Sequence, residues 1–394
     1  MNSESFIVSA VRTPIGALGG ALATVPATEL GACCIRAALS RSSLPPDLVD
    51  EVIMGNVVSA GIGQNPARQA TIKAGLDVSV GATTVNKVCG SGLKAVMLAN
   101  QMILLGESNV VLAGGMESMS LAPYMLLQAR QGYRLGNGSL VDAVIQDGLW
   151  DVYGDKHMGT YGDRCAEYYG FTKDDQDAYA VRSYTRAHRA TTLQLFAKEI
   201  VPVEVRSKKE TIVVSHDEGP SRFDEPKLRA LRPAFAPDGT VTAGNASSIS
   251  DGAAALVITS RERCAHLQAK PLARIVGATT FSREPEWFTL APIGAIRKLC
   301  DRLNWSVKEV DAFEINEAFA VVAMSAEKEL AIPPERLNIF GGAVALGHPI
   351  GCSGARILVT LLNALDHNDG HRGIACACIG GGEAVALAVE RFVE

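Results

Sequence analysis

The chain contains two copies of one Gly-rich segment, CGSGLKAVML at 89–98 and GCSGARILVT at 351–360. An apolar, strand-like run that ends in glycine follows each copy, NVVLAGG at 109–115 and IACACIGGG at 374–382. An internal repeat of this kind is typical of a duplicated fold. Two related halves that pack together bring both Gly-rich helix starts towards one interface. The sequence therefore predicts a duplicated core with its special residues between the halves.

Strand-like and helical patterns alternate outside the repeat, which predicts an α/β fold. FIVSAV (6–11), EVIMGNVV (51–58) and AAALVIT (253–259) read as buried strands. The stretch 90–105 has helical length and mostly apolar faces. EVDAFEINEAFA (309–320) reads as a strand that runs through a polar turn into a helix.

A more polar middle region, richer in Tyr, Arg, Lys and Asp, separates the two halves. The clearest predicted helix of this region runs from Thr172 to Leu195 and starts with a capping pair, Thr172 and Asp175. We interpret this region as an inserted subdomain. The predicted division is an N-terminal half at 1–120 plus 250–270, an insertion at 121–249 and a C-terminal half at 271–394.

Composition narrows the classes of function. The net charge is −5, with 37 Lys and Arg against 42 Asp and Glu, so no overall basic field attracts nucleic acid or a membrane surface. The nine cysteines are scattered through a long chain, which predicts reduced thiols and a cytoplasmic location. The start of the chain has no signal-peptide pattern. Neither a phosphate loop nor a dinucleotide fingerprint is present.

Cys89 is the first candidate for chemistry. It stands in NKVCGSG, where a strand-like run gives way to a helix. The positive end of a helix and its unpaired N–H groups favour a thiolate, and the following glycines let a bulky substrate approach the backbone. A lone cysteine is more often a buried small hydrophobe, but this setting favours a nucleophile.

His348 and the pair Asn316 and Glu317 are the next candidates. His348 stands in the tight turn GHPIG before a helix, and it can orient or deprotonate a thiol. A single His is more often a packed or surface residue. Asn316 and Glu317 follow a strand end, where a polar pair serves equally well as a helix cap.

Cys378 ends an apolar strand and precedes Ile379 and three glycines, Gly380 to Gly382. Consecutive glycines expose backbone N–H groups, which suit an oxyanion; a plain hairpin turn is the alternative. Cys376 points the same way off the strand, so a Cys-x-Cys metal site is conceivable, but no second Cys/His pair at suitable spacing supports it. We therefore expect no metal.

Together these segments resemble the signature motifs of the thiolase family, in thiolase order. The four main motifs are NKVCGSG (86–92), NEAF (316–319), GGAVALGHPIGCSGAR (341–356) and CIGGG (378–382). Weaker matches are VRTPIG (11–16), GGMESMS (114–120), LRPAF (231–235) and TAGNAS (242–247). The resemblance spans nearly the whole chain. It implies a duplicated βαβαβαββ core, layered α-β-α-β-α, with the insertion as a lid over coenzyme A (CoA).

The resemblance also implies catalytic roles. Cys89 takes up the acyl group, His348 activates that thiol, and Cys378 removes or returns the α-proton of the second acetyl-CoA. Asn316 holds a water that forms one oxyanion site with His348, and the N–H groups of Cys89 and Gly380 form the other. The implied CoA site comprises His157, Met158, Arg222, Lys227, Phe235, Ala243, Gly244, Ser247, Phe288, Ala318 and Phe319. Among these, His157 and Met158 line the acyl pocket, Phe288 closes it, and Arg222 and Lys227 supply a local basic patch.

The implied activity is the reversible condensation of two acetyl-CoA to acetoacetyl-CoA and CoA, because His157-Met158-Gly159 resembles the short-chain type. The nearest alternative is a degradative 3-ketoacyl-CoA thiolase of broader chain length. A decarboxylating or ketoacyl-synthase relative is disfavoured by Cys378, and a non-catalytic CoA-binding relative by the filled catalytic positions. We expect acetyl-CoA, acetoacetyl-CoA and CoA as ligands, no permanently bound cofactor, and a homo-oligomer, dimer or tetramer.

Overall fold

The computed structural model describes residues 4–206 and 210–392. In these residues the strands are β1 Ser5–Arg12, β2 Gly16–Ala17, β3 Glu51–Gly55, β4 Gly81–Val85, β5 Val110–Ser118, β6 Tyr124–Met125, β7 Val141–Asp142, β8 Trp150–Asp151, β9 Lys156–His157, β10 Val203–Arg206, β11 Thr211–Val214, β12 Ser250–Ser260, β13 Ala273–Ser282, β14 Ala312–Ile315, β15 Arg372–Ile379 and β16 Glu383–Arg391. The α-helices are α1 Ala27–Ser42, α2 Pro66–Lys73, α3 Ser91–Leu105, α4 Met158–Tyr169, α5 Lys173–Thr192, α6 Glu218–Ser221, α7 Glu225–Arg229, α8 Arg261–His266, α9 Ala291–Leu303, α10 Ala320–Leu330, α11 Ala343–Leu346 and α12 Ile350–His367.

The sheet shows the duplication directly. Its strand order is β14-β15-β16-β13-β1-β12-β5-β3-β4, with β2 added beside β12. The runs β3-β5-β12-β1 and β14-β15-β16-β13 have the same pattern, a parallel pair followed by two antiparallel pairs. The halves join where Phe6 and Ile7 pair with Arg274 and Ala273. The predicted duplicated α/β core is confirmed.

Helices complete the layers. α3 and α12 lie together between the two halves of the sheet, and one apolar cluster contains residues of both helices and both halves. α1 and α2 cover the outer face of the N-terminal half, and α9 and α10 cover that of the C-terminal half. This is the expected α-β-α-β-α arrangement. By length and composition alone, the stretch 88–105 could cross a membrane. In this fold the stretch includes the central helix α3.

The repeated Ser-Gly pair has a structural reason. A Cβ on Gly92 would lie 2.7 Å from the backbone nitrogen of Ala355, and a Cβ on Gly354 would lie 2.5 Å from that of Leu93. Each half therefore supplies one glycine so that α3 and α12 can cross closely.

Two sequence-based expectations need correction. The strand predicted at 51–58 ends at Gly55, because the N–H groups of Val57 and Val58 donate to the carboxylate of Glu117 instead of a neighbouring strand. In the C-terminal half the third strand of the βαβαβαββ unit is reduced to one bridge between Phe313 and Leu337. The side chain of Asn338 binds the N–H and C=O of Ile315, both at 2.9 Å, and so replaces the missing ladder.

The elements between β5 and β12 lie outside the main sheet. Helix α5 starts with the predicted capping box of Thr172 and Asp175. This region contacts both halves: buried Arg12 of β1 pairs with Glu199 and Asp217, and α5 reaches Glu317. The exact division into 1–120 plus 250–270, 121–249 and 271–394 stays a prediction.

Candidate active site

Cys89 lies in a strained turn between β4 and α3. Val88, the preceding residue, has φ of 46°, a left-handed conformation that β-branched residues rarely adopt. The hydroxyl of Ser91 closes the turn, accepting from the N–H of Lys87 at 2.8 Å and donating to the carbonyl of Val88 at 2.6 Å. An ion pair of 2.6 Å between Lys87 and Glu383 ties the turn to the other half. The strained backbone thus aims a partly exposed Cys89 towards the interface of the halves.

The surroundings of Cys89 favour a neutral thiol at rest. Burial raises the pKa of Cys89 to about 11, although the N–H groups of Gly380 and of Cys89 itself lie against the thiol and act in the opposite direction. The expectation that the helix start favours the thiolate is therefore wrong for the resting enzyme. The loss of hydration outweighs two N–H dipoles.

Cys378 ends β15 next to Cys89 and is completely buried. Burial, followed by the neighbouring sulfurs of Cys89 and Cys376, raises the pKa of Cys378 well above its ordinary value. The N–H groups of Cys378 and Ala318 act in the opposite direction but compensate little. Cys376 is also buried, with its sulfur 4.0 Å from the carbonyl of Pro292. In the described residues, no three His, Cys, Asp or Glu side chains group as metal ligands.

The glycine run satisfies both interpretations of the sequence. Ile379 pairs with Glu383, so Gly380 to Gly382 form the hairpin turn between β15 and β16. Gly381 and Gly382 have φ of 89° and 88°, which favours glycine. The N–H of Gly380 nevertheless points at Cys89, as an oxyanion donor must.

His348 precedes α12 and is buried, with 6% of its surface exposed. Its Nδ1 lies 2.5 Å from the hydroxyl of Ser353, and that hydroxyl donates to the carbonyl of Pro349 at 3.0 Å. Because the Ser353 proton is used there, Nδ1 must donate, which leaves Nε2 as an acceptor. Nε2 faces Nδ2 of Asn316 at 3.4 Å.

The protonation state of His348 follows from its position. Burial, followed by the charge of Arg356, lowers the pKa of His348 to about 3, so the ring is neutral at neutral pH. The amide oxygen of Asn316 is buried without a hydrogen-bond partner among the described residues, an arrangement that suits a bound water. No hydrogen bond between Cys89 and His348 occurs in the described part of the chain.

Sequence reasoning assigned no role to Ser353 or Glu117. Glu117 is fully buried and accepts four N–H bonds, from Asn56, Val57, Val58 and Gly351. Burial raises its pKa to about 7. It caps α12 from the other half of the molecule and so fixes the helix that follows His348. Glu117 stands in the segment GGMESMS (114–120), but the sequence did not indicate its contact with Gly351.

Aromatic rings form the wall near the thiols. The ring of His157 stacks on Phe235 with centroids 4.6 Å apart, and Phe319 contacts both Phe235 and Phe288 edge-on. Gly159 is required here, since a Cβ would lie 2.1 Å from the Phe235 ring. Met158 lies beside Gly380, which places this wall next to the glycine turn. Burial lowers the pKa of His157.

The remaining predicted CoA residues divide into two groups. Ser247 binds the carbonyl of Ala318 through its N–H at 3.0 Å and its hydroxyl at 2.9 Å, which joins this segment to the NEAF loop. Gly244 packs against Leu228 of α7, and Ala243 is exposed. Arg222 and Lys227 are exposed and paired with Glu218 and Asp224. Within residues 4–206 and 210–392, no contact places these two cations beside the thiols.

Comparisons with known proteins identify the family of the chain. The family model "Thiolase, N-terminal domain" matches residues 5–262, and "Thiolase, C-terminal domain" matches residues 269–391. The chain is 52% identical to acetyl-CoA acetyltransferase 1 of Arabidopsis thaliana, over 98% of this chain and 94% of the relative. It is 48% identical to acetyl-CoA acetyltransferase of Schizosaccharomyces pombe, over 99% of this chain and 100% of the relative.

Two solved structures have the same fold. The acetyl-CoA acetyltransferase of Bacillus anthracis superposes with a TM-score of 0.97 and 41% identity over 100% of both chains. The Acat5 thiolase of Ascaris suum, solved in complex with coenzyme A, superposes with a TM-score of 0.94 and 41% identity over 99% of this chain and 100% of that chain.

Proposed function

The chain belongs to the thiolase family, and we propose that it is an acetyl-CoA C-acetyltransferase that works through an acyl-Cys89 intermediate. The observation that carries the mechanism is the pair of adjacent thiols, Cys89 and Cys378, with the N–H of Gly380 at Cys89. Relatives named acetyl-CoA acetyltransferases support this activity over a degradative, long-chain one.

In the first half-reaction the sulfur of Cys89 attacks the thioester carbonyl of acetyl-CoA. The thiol proton passes to Nε2 of His348 and then to the departing CoA sulfur, while a new carbon–sulfur bond replaces the old one. The N–H groups of Cys89 and Gly380 stabilise the oxyanion, and such a site supplies about 3–4 kcal/mol. Because His348 and Cys89 are both neutral at rest, no buried ion pair has to be maintained before substrate arrives.

In the second half-reaction Cys378 loses its thiol proton to solvent and, as thiolate, removes the α-proton of a second acetyl-CoA. The enolate carbon then attacks the acyl carbonyl, the carbon–sulfur bond to Cys89 breaks, and the Cys89 sulfur takes up a proton from solvent. His348 and a water held by Asn316 stabilise the enolate oxygen. Two thiols are needed because Cys89 is occupied as a thioester when Cys378 must move a proton.

We assign the acyl pocket to His157, Met158 and Phe288, and the pantetheine arm to the path past Phe235 and Phe319. Ala243, Gly244, Ser247 and Ala318 complete that path. Phe288 is buried against Phe319, and a bulky side chain at this position would block a long acyl chain. Arg222 and Lys227 would exchange their carboxylate partners for the phosphates of CoA at the outer end.

Two surfaces support a homo-oligomer, dimer or tetramer. β4 is an edge strand of the sheet with a partly exposed face, and Val78 just before it is 73% exposed. The arm formed by residues 121–142, which includes β6 and β7, exposes large apolar side chains, among them Tyr124, Leu127 and Leu135. A second copy of the chain is the occupant that we propose for both surfaces.

We also propose a cytoplasmic location and a reaction without a resident cofactor. The nine cysteines are all free thiols, which suits a reducing compartment. Cys89, His348 and Cys378 supply the nucleophile and both proton-transfer groups from the chain itself.

Mass spectrometry of the intact protein mixed with acetyl-CoA tests the function. Wild type is expected to gain one acetyl group at Cys89, and Cys89→Ala to gain none there. Cys378→Ala is expected to acetylate but to form no acetoacetyl-CoA. Acetylation elsewhere, or normal condensation by Cys378→Ala, would contradict the assigned roles. Faster cleavage of long-chain than of C4 3-ketoacyl-CoA would favour the degradative alternative.

A further inference from the structure

Glu317 lies between Asn316 and Ala318 and has no part in the reaction described above. It is 1% exposed, and its carboxylate accepts four hydrogen bonds. Oε1 accepts from the hydroxyl of Tyr179 and from Nδ2 of Asn338, each at 2.8 Å. Oε2 accepts from the hydroxyl of Ser183 at 2.8 Å and from the N–H of Val344 at 3.1 Å.

The four donors come from three separate segments. Tyr179 and Ser183 belong to lid helix α5, Asn338 to the loop that replaces the missing strand, and Val344 to α11. The backbone closes tightly on the carboxylate, because a Cβ on Gly342 would lie 2.3 Å from the carboxyl carbon of Glu317. Simple helix capping, the alternative that the sequence allowed for this residue, does not require such enclosure.

The sequence neighbours of Glu317 are the groups that the condensation step uses. Asn316 faces Nε2 of His348. The N–H of Ala318 donates to the carbonyl of Asn316 at 3.0 Å and lies close enough to Cys378 to lower the pKa of its thiol. Asn338 also holds both backbone groups of Ile315, so the loop is fixed from both sides of Asn316. We infer that Glu317 is a positioning residue that holds the 316–318 loop in register with His348 and Cys378 for carbon–carbon bond formation. This inference rests on the proposed function.

Glu317→Gln is a demanding test because a carboxamide cannot satisfy four donors. If its oxygen faces Tyr179 and Asn338, its NH₂ group opposes the N–H of Val344. In the reverse orientation the NH₂ group opposes Nδ2 of Asn338, which is committed to Ile315. Either way two donors face each other and the loop must shift. A shift of about 1 Å at a reacting group costs up to roughly 100-fold in rate.

The expected signature separates the two half-reactions. Condensation by Glu317→Gln should fall about 10- to 100-fold, while exchange of labelled CoA with acetyl-CoA, which reports acylation of Cys89, stays near the wild-type rate. Acylation is spared because Gly380 and Ser353 hold the groups that it uses. The matched control is Glu199→Gln. Glu199 is another buried carboxylate, bound by Arg12, Thr360 and Asn363, and it should show no such selectivity.

If Glu317→Gln does not fold, Ser183→Ala is the second variant, because it removes one donor to Glu317. It should also slow condensation and spare acylation, but by a smaller factor. Equal losses in both half-reactions, or no loss in either, would overturn the inference. Wild-type protein that neither exchanges CoA nor condenses acetyl-CoA would instead overturn the proposed function.

Discussion

At the scale of single residues, the site stores no charge before substrate binds. The pKa of Cys89 is raised to about 11 and that of His348 is lowered to about 3, so proton transfer between them is uphill in the free enzyme. Bond formation at the thioester must therefore accompany the proton transfer. Loss of hydration is the largest cause of both shifts.

The raised pKa of Cys89 predicts a specific alkylation profile. Only the thiolate reacts with iodoacetamide, and well below the pKa its fraction rises about tenfold per pH unit. The rate of alkylation at the Cys89 peptide should therefore keep rising between neutral pH and the alkaline limit of folding. A rate that is already constant near neutral pH would contradict this, because it would indicate a preformed thiolate.

Ser353 predicts a second outcome at this scale. In Ser353→Ala the Nδ1–H of His348 loses its acceptor, so the ring can adopt the tautomer in which Nε2 carries the proton. Acylation of Cys89 should slow about tenfold, the value of one hydrogen bond of about 1.4 kcal/mol, while the KM for acetyl-CoA changes little.

The control for Ser353 is Ser325→Ala, which removes another buried hydroxyl that donates to a carbonyl in its own helix. Acylation kinetics should be unchanged in that variant. Equal slowing of both variants would mean that Ser353 acts through stability alone.

The sequence indicated the residues to which we assign the reactive atoms and missed those that we expect to orient them. Cys89, His348 and Cys378 stand in Gly-rich turns, a local signal. Ser353 looks like an ordinary helix residue. Glu117 acquires its role only through Gly351, which is 234 positions away. No local pattern encodes a contact of that kind, because it depends on how the halves pack.

At the scale of elements, the two helices with Gly-rich starts, α3 and α12, pack together at the centre of the fold. The repeat predicted that α3 and α12 are equivalent, and the reciprocal contacts of Gly92 and Gly354 show why both copies keep the glycine. The sequence did not predict where the halves differ. Asn338 replaces a strand with one side chain, and Glu117 ends β3 early by taking two N–H groups. Both differences result from side chains that compete with backbone pairing.

Gly92→Ala tests the importance of this crossing. The new methyl group would lie 2.7 Å from the backbone nitrogen of Ala355, so the helices must separate. Overpacking of this kind costs about 1–3 kcal/mol, and the upper end is expected because the opposing atom is backbone. Thermal unfolding should show a clearly lower midpoint.

Gly106→Ala is the matched control for that variant. Gly106 ends the same helix with φ of 77° and open space around its Cβ position, so alanine there adds only backbone strain of about 1–2 kcal/mol. The Gly92 variant should also acylate more slowly, since Cys89 lies in the turn that leads directly into α3, whereas the Gly106 variant should not. Equal acylation rates in the two variants would mean that the crossing of α3 and α12 does not affect the active site.

At the scale of the whole molecule, the active site lies where the two halves meet, and the lid is anchored to both. Arg12 pairs with Glu199 and Asp217 in the buried interior, which fastens the insertion to β1 at two points. The sequence indicated the halves and the insertion. It did not indicate which strand is left at the edge, because β4 reads like any other short strand.

The exposed edge of β4 leads to the prediction that oligomers form through it. The carbonyl of Val85 accepts from the N–H of Asn56, the residue that follows β3. The backbone groups of Ala82, which alternate with those of Val85, therefore point away from β3. Ala82→Pro removes an outward N–H and leaves the monomer's own sheet intact, because proline is tolerated on the outer side of an edge strand. Light scattering coupled to size-exclusion chromatography should show a smaller species for this variant than for wild type.

Leu135→Asp is the companion variant, because Leu135 is fully exposed in the 121–142 arm. A charge there should split tetramers into dimers and leave the edge contact in place, since the arm and β4 are different surfaces. Circular dichroism should show both variants folded, which separates assembly from stability. A monomeric wild type would refute the proposed oligomer. An Ala82→Pro protein of unchanged mass would instead place the subunit contact elsewhere than β4.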